Sequence, residues 1–277
     1  MTAARPDAPA GPRPALWRRL VRPGSRRWVE LIRNLAVRDV ETRYKHSLLG
    51  LYWALINPLV MALIYSFVFG TIFHANSGTI PYVVFLLTGL TFWNLFNNGV
   101  MSATVSITGN AQLLAKLYFP RVVLPTAAVL ARLIDFGFSF VILLVFIAVY
   151  RVPLHWSFLF LPLVLVPQIL FTLGVSFLTA ALNVLYRDMN QLIGLFLMLW
   201  MYLTPVMYPA TNLPTDFQAV MLLNPMGNFV EMERDLLFLG HIGHPSYVWT
   251  MLVWTVFVYA LGLRVFKRIE PLFAEVM

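Results

Sequence analysis

The feature that most constrains this chain is a long stretch without charge. No Asp, Glu, Lys or Arg occurs between Lys45 and Lys116. Soluble domains carry ~25% charged residues, which keep their surfaces solvated, whereas this chain has 12% charged and 60% apolar residues. A charged side chain at the centre of a bilayer costs about 2.5–3.5 kcal/mol on insertion scales. The pattern therefore predicts an integral membrane protein.

Apolar segments of sufficient length occur six times. A helix rises ~1.5 Å per residue, so that roughly 20 residues cross a hydrocarbon core of about 30 Å. We predict an all-α membrane domain over residues 47–268. Its six transmembrane helices are predicted at about 49–73, 82–107, 122–150, 157–184, 191–208 and 247–264.

The basic residues predict the orientation of these helices. Seventeen of the twenty Lys and Arg residues lie on one predicted side of the membrane: before the first span, in the second and fourth connections, or at and after the end of the last span. Because cytoplasmic loops are enriched in Lys and Arg, we place both termini in the cytoplasm. This distribution also accounts for the net charge of +8 without nucleic acid as a partner. Residues 1–27 are predicted to be a disordered basic tail and 269–277 a cytoplasmic tail.

Two segments outside the predicted spans are partly apolar. Residues 28–46 have apolar side chains at helical spacing and too many charges to span, so we predict an amphipathic helix along the cytoplasmic interface, whose polar face is free to bind a partner. Residues 209–246 are predicted to form two short interfacial or re-entrant helices on the outer side, joined at Asn224-Pro225.

The sequence lacks the common catalytic and phosphate-binding motifs. There is no G-x-x-x-x-G-K-[ST], H-E-x-x-H or G-x-S-x-G, and there is no cysteine. His241 and His244 have a spacing that could touch a metal ion, but interfacial polar residues are the better interpretation. We therefore predict no catalytic residue and no metal site.

Arg132 and Asp135 are ionisable residues within a predicted span. Their i, i+3 spacing places them on one helix face, where they can pair. We favour a structural ion pair over a site on a polar path, since a proton relay generally needs several acids.

Aromatic residues are frequent, and many are expected to form interfacial belts. Others lie deeper and are candidates for lining a path for sugars, whose C–H faces stack on rings: Tyr65, Phe69, Phe92, Trp93, Phe96, Trp200 and Tyr202.

Four segments, in this order, resemble the permease subunits of type 2 ATP-binding-cassette (ABC) exporters of lipid-linked polysaccharide, such as O-antigen, capsule or teichoic acid. They are RDVETRYKHSLLGLYWALINPL (38–59), LLAKLYFPR (113–121), YRD (186–188) with TPVMYP (204–209), and LNPMGNFVEMERDLLFLG (223–240). In the last segment the resemblance lies in Asn224, Pro225, Arg234 and Gly240. The matches cover nearly the whole chain beyond residue 27.

The resemblance implies a transporter half in the bacterial cytoplasmic (inner) membrane. Two copies would form a homodimer around the path, and two ATPase subunits, which bind ATP and Mg, would attach from the cytoplasm, so that no cofactor is expected in this chain. Residues 109–121 would form the coupling helix, and 209–246 would cap the exit. The ATPase-coupling residues would be Lys116, Leu117, Tyr118, Phe119 and Arg121.

The resemblance also implies a substrate, a polyprenyl-linked glycan. The predicted entrance residues on the interface helix are Arg38, Arg43, Tyr44 and Lys45; their positive charges are candidates for attracting the lipid diphosphate, with solvated positive-inside charge as an equal alternative. Charge reversal at Arg43 is expected to cripple export without affecting dimerisation. Three other functions stay open: a small-lipophile exporter of the same fold, a membrane enzyme acting on polyprenyl-linked sugars, and a secondary transporter.

Overall fold

The computed structural model describes residues 26–45, 52–72, 80–116, 119–186, 188–212, 214 and 221–273. Within these ranges the chain is helical and contains no strand. The helices are α1 (Arg26–Tyr44), α2 (Tyr52–Tyr65, continued as a π-helix over Ser66–Ile72), α3 (Tyr82–Thr104), α4 (Ala111–Lys116), α5 (Val123–Val149), α6 (Leu161–Leu185), α7 (Met189–Leu203), α8 (Pro225–Arg234, continued as a π-helix over Asp235–Leu239) and α9 (Pro245–Ile269).

Several predicted features lie outside the described residues. They are the tail up to residue 25, the last four residues of the C-terminal tail, Leu117 and Tyr118, and residues 215–220, which belong to the part of the predicted outer segment before Asn224.

The helices confirm the all-α class. Four of the described helical segments are long and apolar enough to cross a membrane: Tyr82–Thr104, Val123–Val149, Trp156–Leu185 and Pro245–Leu272. Two shorter apolar helices, Pro58–Ile72 and Met189–Leu203, lie at the positions of the first and fifth predicted spans. Six crossings therefore remain a prediction.

Helix α3 is the buried centre of the bundle. It packs against α2, α5, α6, α7 and α8, and the side chains of Leu86, Phe92 and Phe96 are completely buried. The outer helices bury one side only, leaving residues such as Val145 on α5 and Val253 on α9 more than half exposed. Exposed apolar faces of this kind suit a lipid surrounding, because lipid tails do not penalise them.

The most extensive helix pair, α6 with α9, depends on two glycines. A Cβ atom on Gly174 would lie 2.7 Å from the backbone of Tyr259, and one on Gly262 would collide with the carbonyl oxygen of Gly174. Small residues at such crossings let two membrane helices approach closely enough for backbone contact.

We expect Gly262→Ala to separate α6 from α9 and to lower the stability of the protein by about 1–3 kcal/mol, the usual cost of overpacking. The measurement is thermal unfolding of the purified chain in detergent. Gly137→Ala on α5 is the matched control, because a Cβ atom there meets nothing within 4 Å and alanine favours helix formation. An equal melting temperature for both variants would contradict this account of the crossing.

Candidate functional site

A network of charged residues joins α1 to α5 at one end of the bundle, called here the α1 end. Asp135 Oδ2 accepts hydrogen bonds from Arg43 Nη1 at 2.6 Å and Arg132 Nη1 at 3.0 Å, while Asp135 Oδ1 accepts one from the Tyr44 hydroxyl at 2.5 Å. Arg43 Nη2 also donates to Asp39 Oδ2 at 2.5 Å. Two arginines and two aspartates thus form a neutral cluster.

Helical spacing explains half of this network and tertiary packing explains the rest. Asp39 and Arg43 are one turn apart on α1, and Arg132 and Asp135 are one turn apart on α5. The pair on α5 is therefore present as predicted. Burial and the bond to Asp135 raise the pKa of Tyr44 to about 12, so this hydroxyl stays protonated as a donor.

The two predicted entrance arginines have different surroundings. Arg43 is held between two carboxylates, and its side chain is 23% exposed. Arg38, five residues earlier, is exposed and donates to Asn110 Oδ1 at 2.6 Å. Lys45 is exposed and ends the described part of this segment. The geometry therefore gives Arg43 a structural contact and leaves Arg38 accessible.

The segment after α4, which the resemblance assigns to ATPase coupling, is tied to three other elements. Phe119 is buried in a cluster with Leu35 of α1 and Leu124 of α5. Arg121 Nη1 donates to the carbonyl oxygen of Glu270 at 2.7 Å, and its guanidinium lies 5.5 Å from the ring centre of Phe273. These two side chains point into the protein. The side chain of Lys116 lies outside the described residues, as do Leu117 and Tyr118.

The path-lining candidates separate into three groups by exposure. Phe92, Trp93 and Phe96 are buried and packed against other rings, so their observed role is in the core. Tyr65, Phe69 and Trp200 are partly buried and pack against the cluster that contains Trp93 and Phe96. Tyr202 is 54% exposed.

Asn224 and Pro225 begin α8, the helix in the predicted outer segment. The Asn224 Oδ1 atom accepts from the Gly227 N–H at 3.2 Å and from Trp200 Nε1 at 2.9 Å. Asparagine is a favoured N-cap, and proline is favoured at the first helical position because its missing N–H has no partner there anyway. Asn224 Nδ2 also donates to the carbonyl of Leu203 at 3.1 Å, so the cap links α8 to the end of α7.

Arg234 fastens the other end of α8. Its guanidinium donates to the carbonyl oxygens of Pro205 at 2.5 Å, Val206 at 2.8 Å and Phe85 at 3.3 Å, and to Glu231 Oε1 at 3.0 Å. It lies 3.6 Å from the ring centre of Phe85. The side chain is 6% exposed. We call this set of contacts the Arg234 clamp.

A glycine on α3 makes room for the clamp. A Cβ atom on Gly89 would lie 2.6 Å from Arg234 Nη2 and 2.8 Å from the carbonyl oxygen of Val206. The TPVMYP and outer segments, matched separately in the sequence, thus meet through one arginine. In the sequence, only the resemblance to the exporter family indicates a role for Arg234, because a partner 149 residues away leaves no local pattern.

The acidic residues around Arg234 have separate environments. Glu231 pairs with Arg234, and Asp235 Oδ2 accepts from the Gly243 N–H at 2.8 Å. Glu233 is completely buried, and within the described part of the chain neither carboxylate oxygen has a hydrogen-bond partner. This burial raises the pKa of Glu233 well above its usual range, which favours a neutral acid. No group of three His, Asp or Glu side chains suited to a metal ion occurs among the described residues.

Comparison with known proteins assigns the chain to a family. The ABC-2 type transporter family matches residues 30–238, which include both the charged network and the Arg234 clamp. The O-antigen export system permease protein RfbA of Klebsiella pneumoniae is 32% identical over 250 residues, covering 90% of this chain and 95% of the relative.

More distant relatives align over most of their length. The RfbA protein of Myxococcus xanthus is 31% identical over 210 residues, covering 75% of this chain and 80% of the relative. The polysialic acid transport protein KpsM of Escherichia coli is 24% identical, covering 86% of this chain and 93% of the relative. A family match over most of the chain and relatives aligned along nearly their whole length lead to one conclusion: this protein is a member of the ABC-2 type transporter family.

Proposed function

We propose that this chain is the transmembrane subunit of an ABC transporter that exports a polyprenyl-linked polysaccharide, an O-antigen-like glycan. The observation that carries the proposal is the 32% identity to an O-antigen export permease over nearly the full length of both chains. Relatives that act on capsule polysaccharide, such as CtrC of Neisseria meningitidis, align over a similar extent. The chain itself has no phosphate-binding loop, which supports ATP hydrolysis, with its Mg, in a separate subunit.

The proposed setting is the bacterial inner membrane, crossed six times with both termini in the cytoplasm. The distribution of basic residues supports this orientation. It puts the α1 end of the bundle at the cytoplasmic face, with α1 along the interface, and the Arg234 clamp near the outer face. The proposed assembly is a homodimer with two ATPase subunits.

The connections of residues 119–121 suggest how an ATPase would move this subunit. Phe119 joins α1 to the start of α5, and Arg121 joins the same segment to Glu270 after α9. A movement of the coupling segment 109–121 would therefore be transmitted to α1, to α5 and to the residues after α9. Rigid-body movement of packed helices is the expected response, because packed cores do not deform continuously.

The aromatic residues support a path for glycan along α2 and α7. Tyr202 is the most exposed of the candidates, and Trp200, Tyr65 and Phe69 are partly buried. Trp93 and Phe96 belong to the cluster against which Tyr65, Phe69 and Trp200 pack. The outer segment, held by Asn224 and the Arg234 clamp, would cap the exit.

The test is purification of the tagged chain from its native membrane in mild detergent, followed by mass spectrometry and an ATPase assay. We expect an ABC-type ATPase subunit at equal stoichiometry, and loss of that subunit and its activity when residues 116–121 are scrambled. Scrambling residues 241–244 at the opposite end is the control and should retain the partner. A chain that purifies without an ATPase would contradict the proposal, and turnover of a sugar nucleotide by that chain would favour an enzyme.

A further inference from the structure

Arg38 differs from Arg43 and Arg132, the two arginines of the charged network, in having no carboxylate partner among the described residues. A guanidinium carries five N–H donors. The hydrogen bond to Asn110 Oδ1 uses one of them, and no carboxylate lies within ion-pair distance of Arg38 in the described part of the chain. Arg43 and Arg132, by contrast, both contact Asp135.

Arg38 lies where two hollows meet. One is a cavity of about 500 Å³ between α1, the end of α3 and the start of α5. The other, of about 590 Å³, lies against the turn before α4 and is lined by residues 108–113. Arg38 and Asn110 line both. The side chains that line the first cavity include the small polar ones of Thr42, Ser102 and Ser106. Arg38 and Val105, which also line it, are exposed.

The charges around the first cavity leave a net positive site. Asp39 also lines it, but its carboxylate is already paired with Arg43 at 2.5 Å. The four charged groups of the network cancel, and Arg38 is the uncompensated charge among the described lining residues. An anion in this cavity would therefore meet a cation without a competing free carboxylate.

Asn110 holds Arg38 in position for such an anion. Its Nδ2 atom donates to the carbonyl oxygen of Ser106 at 2.8 Å, which fixes the amide so that Oδ1 faces Arg38. A guanidinium held by one N–H group can still present a pair of parallel donors to an oxyanion, the geometry in which arginine recognises phosphate. Positioning before binding lowers the entropy lost on binding.

We infer that the cavity beside Arg38 binds the diphosphate headgroup of an isoprenoid lipid, with Arg38 as its charged contact, whereas Arg43 does not line the cavity. This inference rests on the proposed function for the choice of lipid. The place of the cavity supports a lipid source, because a headgroup bound at the end of the apolar helices leaves its tail level with their exposed apolar faces. A free phosphate or an anionic phospholipid shares part of the same chemistry.

The test measures binding of farnesyl diphosphate to the purified full chain in phosphatidylcholine nanodiscs. We expect Arg38→Gln to weaken this binding at least tenfold and Arg38→Lys to weaken it less, since lysine keeps the charge but loses the paired donors. Arg33→Gln is the matched control: it removes one positive charge from the same helix at an exposed position outside both hollows, and it should leave binding unchanged. Thermal unfolding of each variant confirms that the fold is retained.

Further probes identify the source of the anion. Farnesol should not bind at this site, and inorganic pyrophosphate should bind more weakly than farnesyl diphosphate with the same dependence on Arg38. Equal binding by wild type and Arg38→Gln, or equal weakening by Arg33→Gln, would overturn the inference. Full competition by phosphatidylglycerol in the nanodiscs would overturn the choice of a diphosphate.

Failure of this site and failure of the proposed function give different results. Arg38-dependent binding in a chain that has no ATPase partner would refute the exporter and leave the site standing. A chain that has its ATPase partner but binds equally well without Arg38 would refute the site alone.

Discussion

Asp135→Asn is expected to detach α1 from the bundle and to abolish export. The substitution removes the one charge that Arg43 and Arg132 share, and the side chains of both arginines are less than a quarter exposed. Breaking a buried ion pair by removing one partner costs about 3–5 kcal/mol, because the remaining charge is left uncompensated. Thermal unfolding of the purified chain and surface labelling of the exported glycan are the two measurements.

Asp39→Asn is the matched control for this prediction. It removes a carboxylate that contacts the same arginine, Arg43. The Asp39 side chain, however, is 44% exposed and forms an i, i+4 pair. Such pairs contribute about 0.3–0.5 kcal/mol. Equal losses for the two variants would show that Asp135 is not the centre of the network. In the double variant Arg43→Gln/Asp135→Asn, the loss should be smaller than the sum of the single losses, as expected for residues in contact.

Arg234→Met is expected to release the outer segment. Methionine fills part of the volume but leaves the carbonyl oxygens of Pro205 and Val206 without the donor that Arg234 supplies, and each unsatisfied buried group costs about 1–3 kcal/mol. We expect cleavage by protease to appear between residues 204 and 240, together with loss of glycan export.

Arg151→Met is the control for the Arg234 clamp. Arg151 is an exposed arginine that follows α5, so the same chemical change there removes charge without removing a buried donor. We expect it to retain protease resistance and export. If the Arg234→Met variant were as resistant to protease as the Arg151→Met variant, the Arg234 clamp would not be what holds α8 in place.

Local patterns in the sequence were sufficient to predict the helical elements. The uncharged run and the apolar segments predicted an all-α protein, and the observed helices fall within a few residues of the predicted ones. Apolar spacing predicted the helix that the structure places at Arg26–Tyr44. The Asn224-Pro225 pair predicted a helix boundary, since capping depends only on neighbouring backbone groups.

Long-range contacts decided what the individual residues do. Asp135 was predicted to pair with Arg132 three residues away, but its bond to Arg43 joins residues 92 positions apart. The sequence places three aromatic residues deep within a predicted span, which made them candidates for lining a path: Phe92, Trp93 and Phe96. Their burial depends instead on how α3 is rotated against its neighbours.

The sequence by itself determined which segments are helical and apolar, because hydropathy, spacing and capping act over one or two turns. Only the tertiary structure decided which faces of those helices meet. That choice separates Arg43, held by two carboxylates, from Arg38, which has no carboxylate partner among the described residues and lines a cavity. The two arginines look alike in the sequence, since the groups that distinguish them come from distant helices.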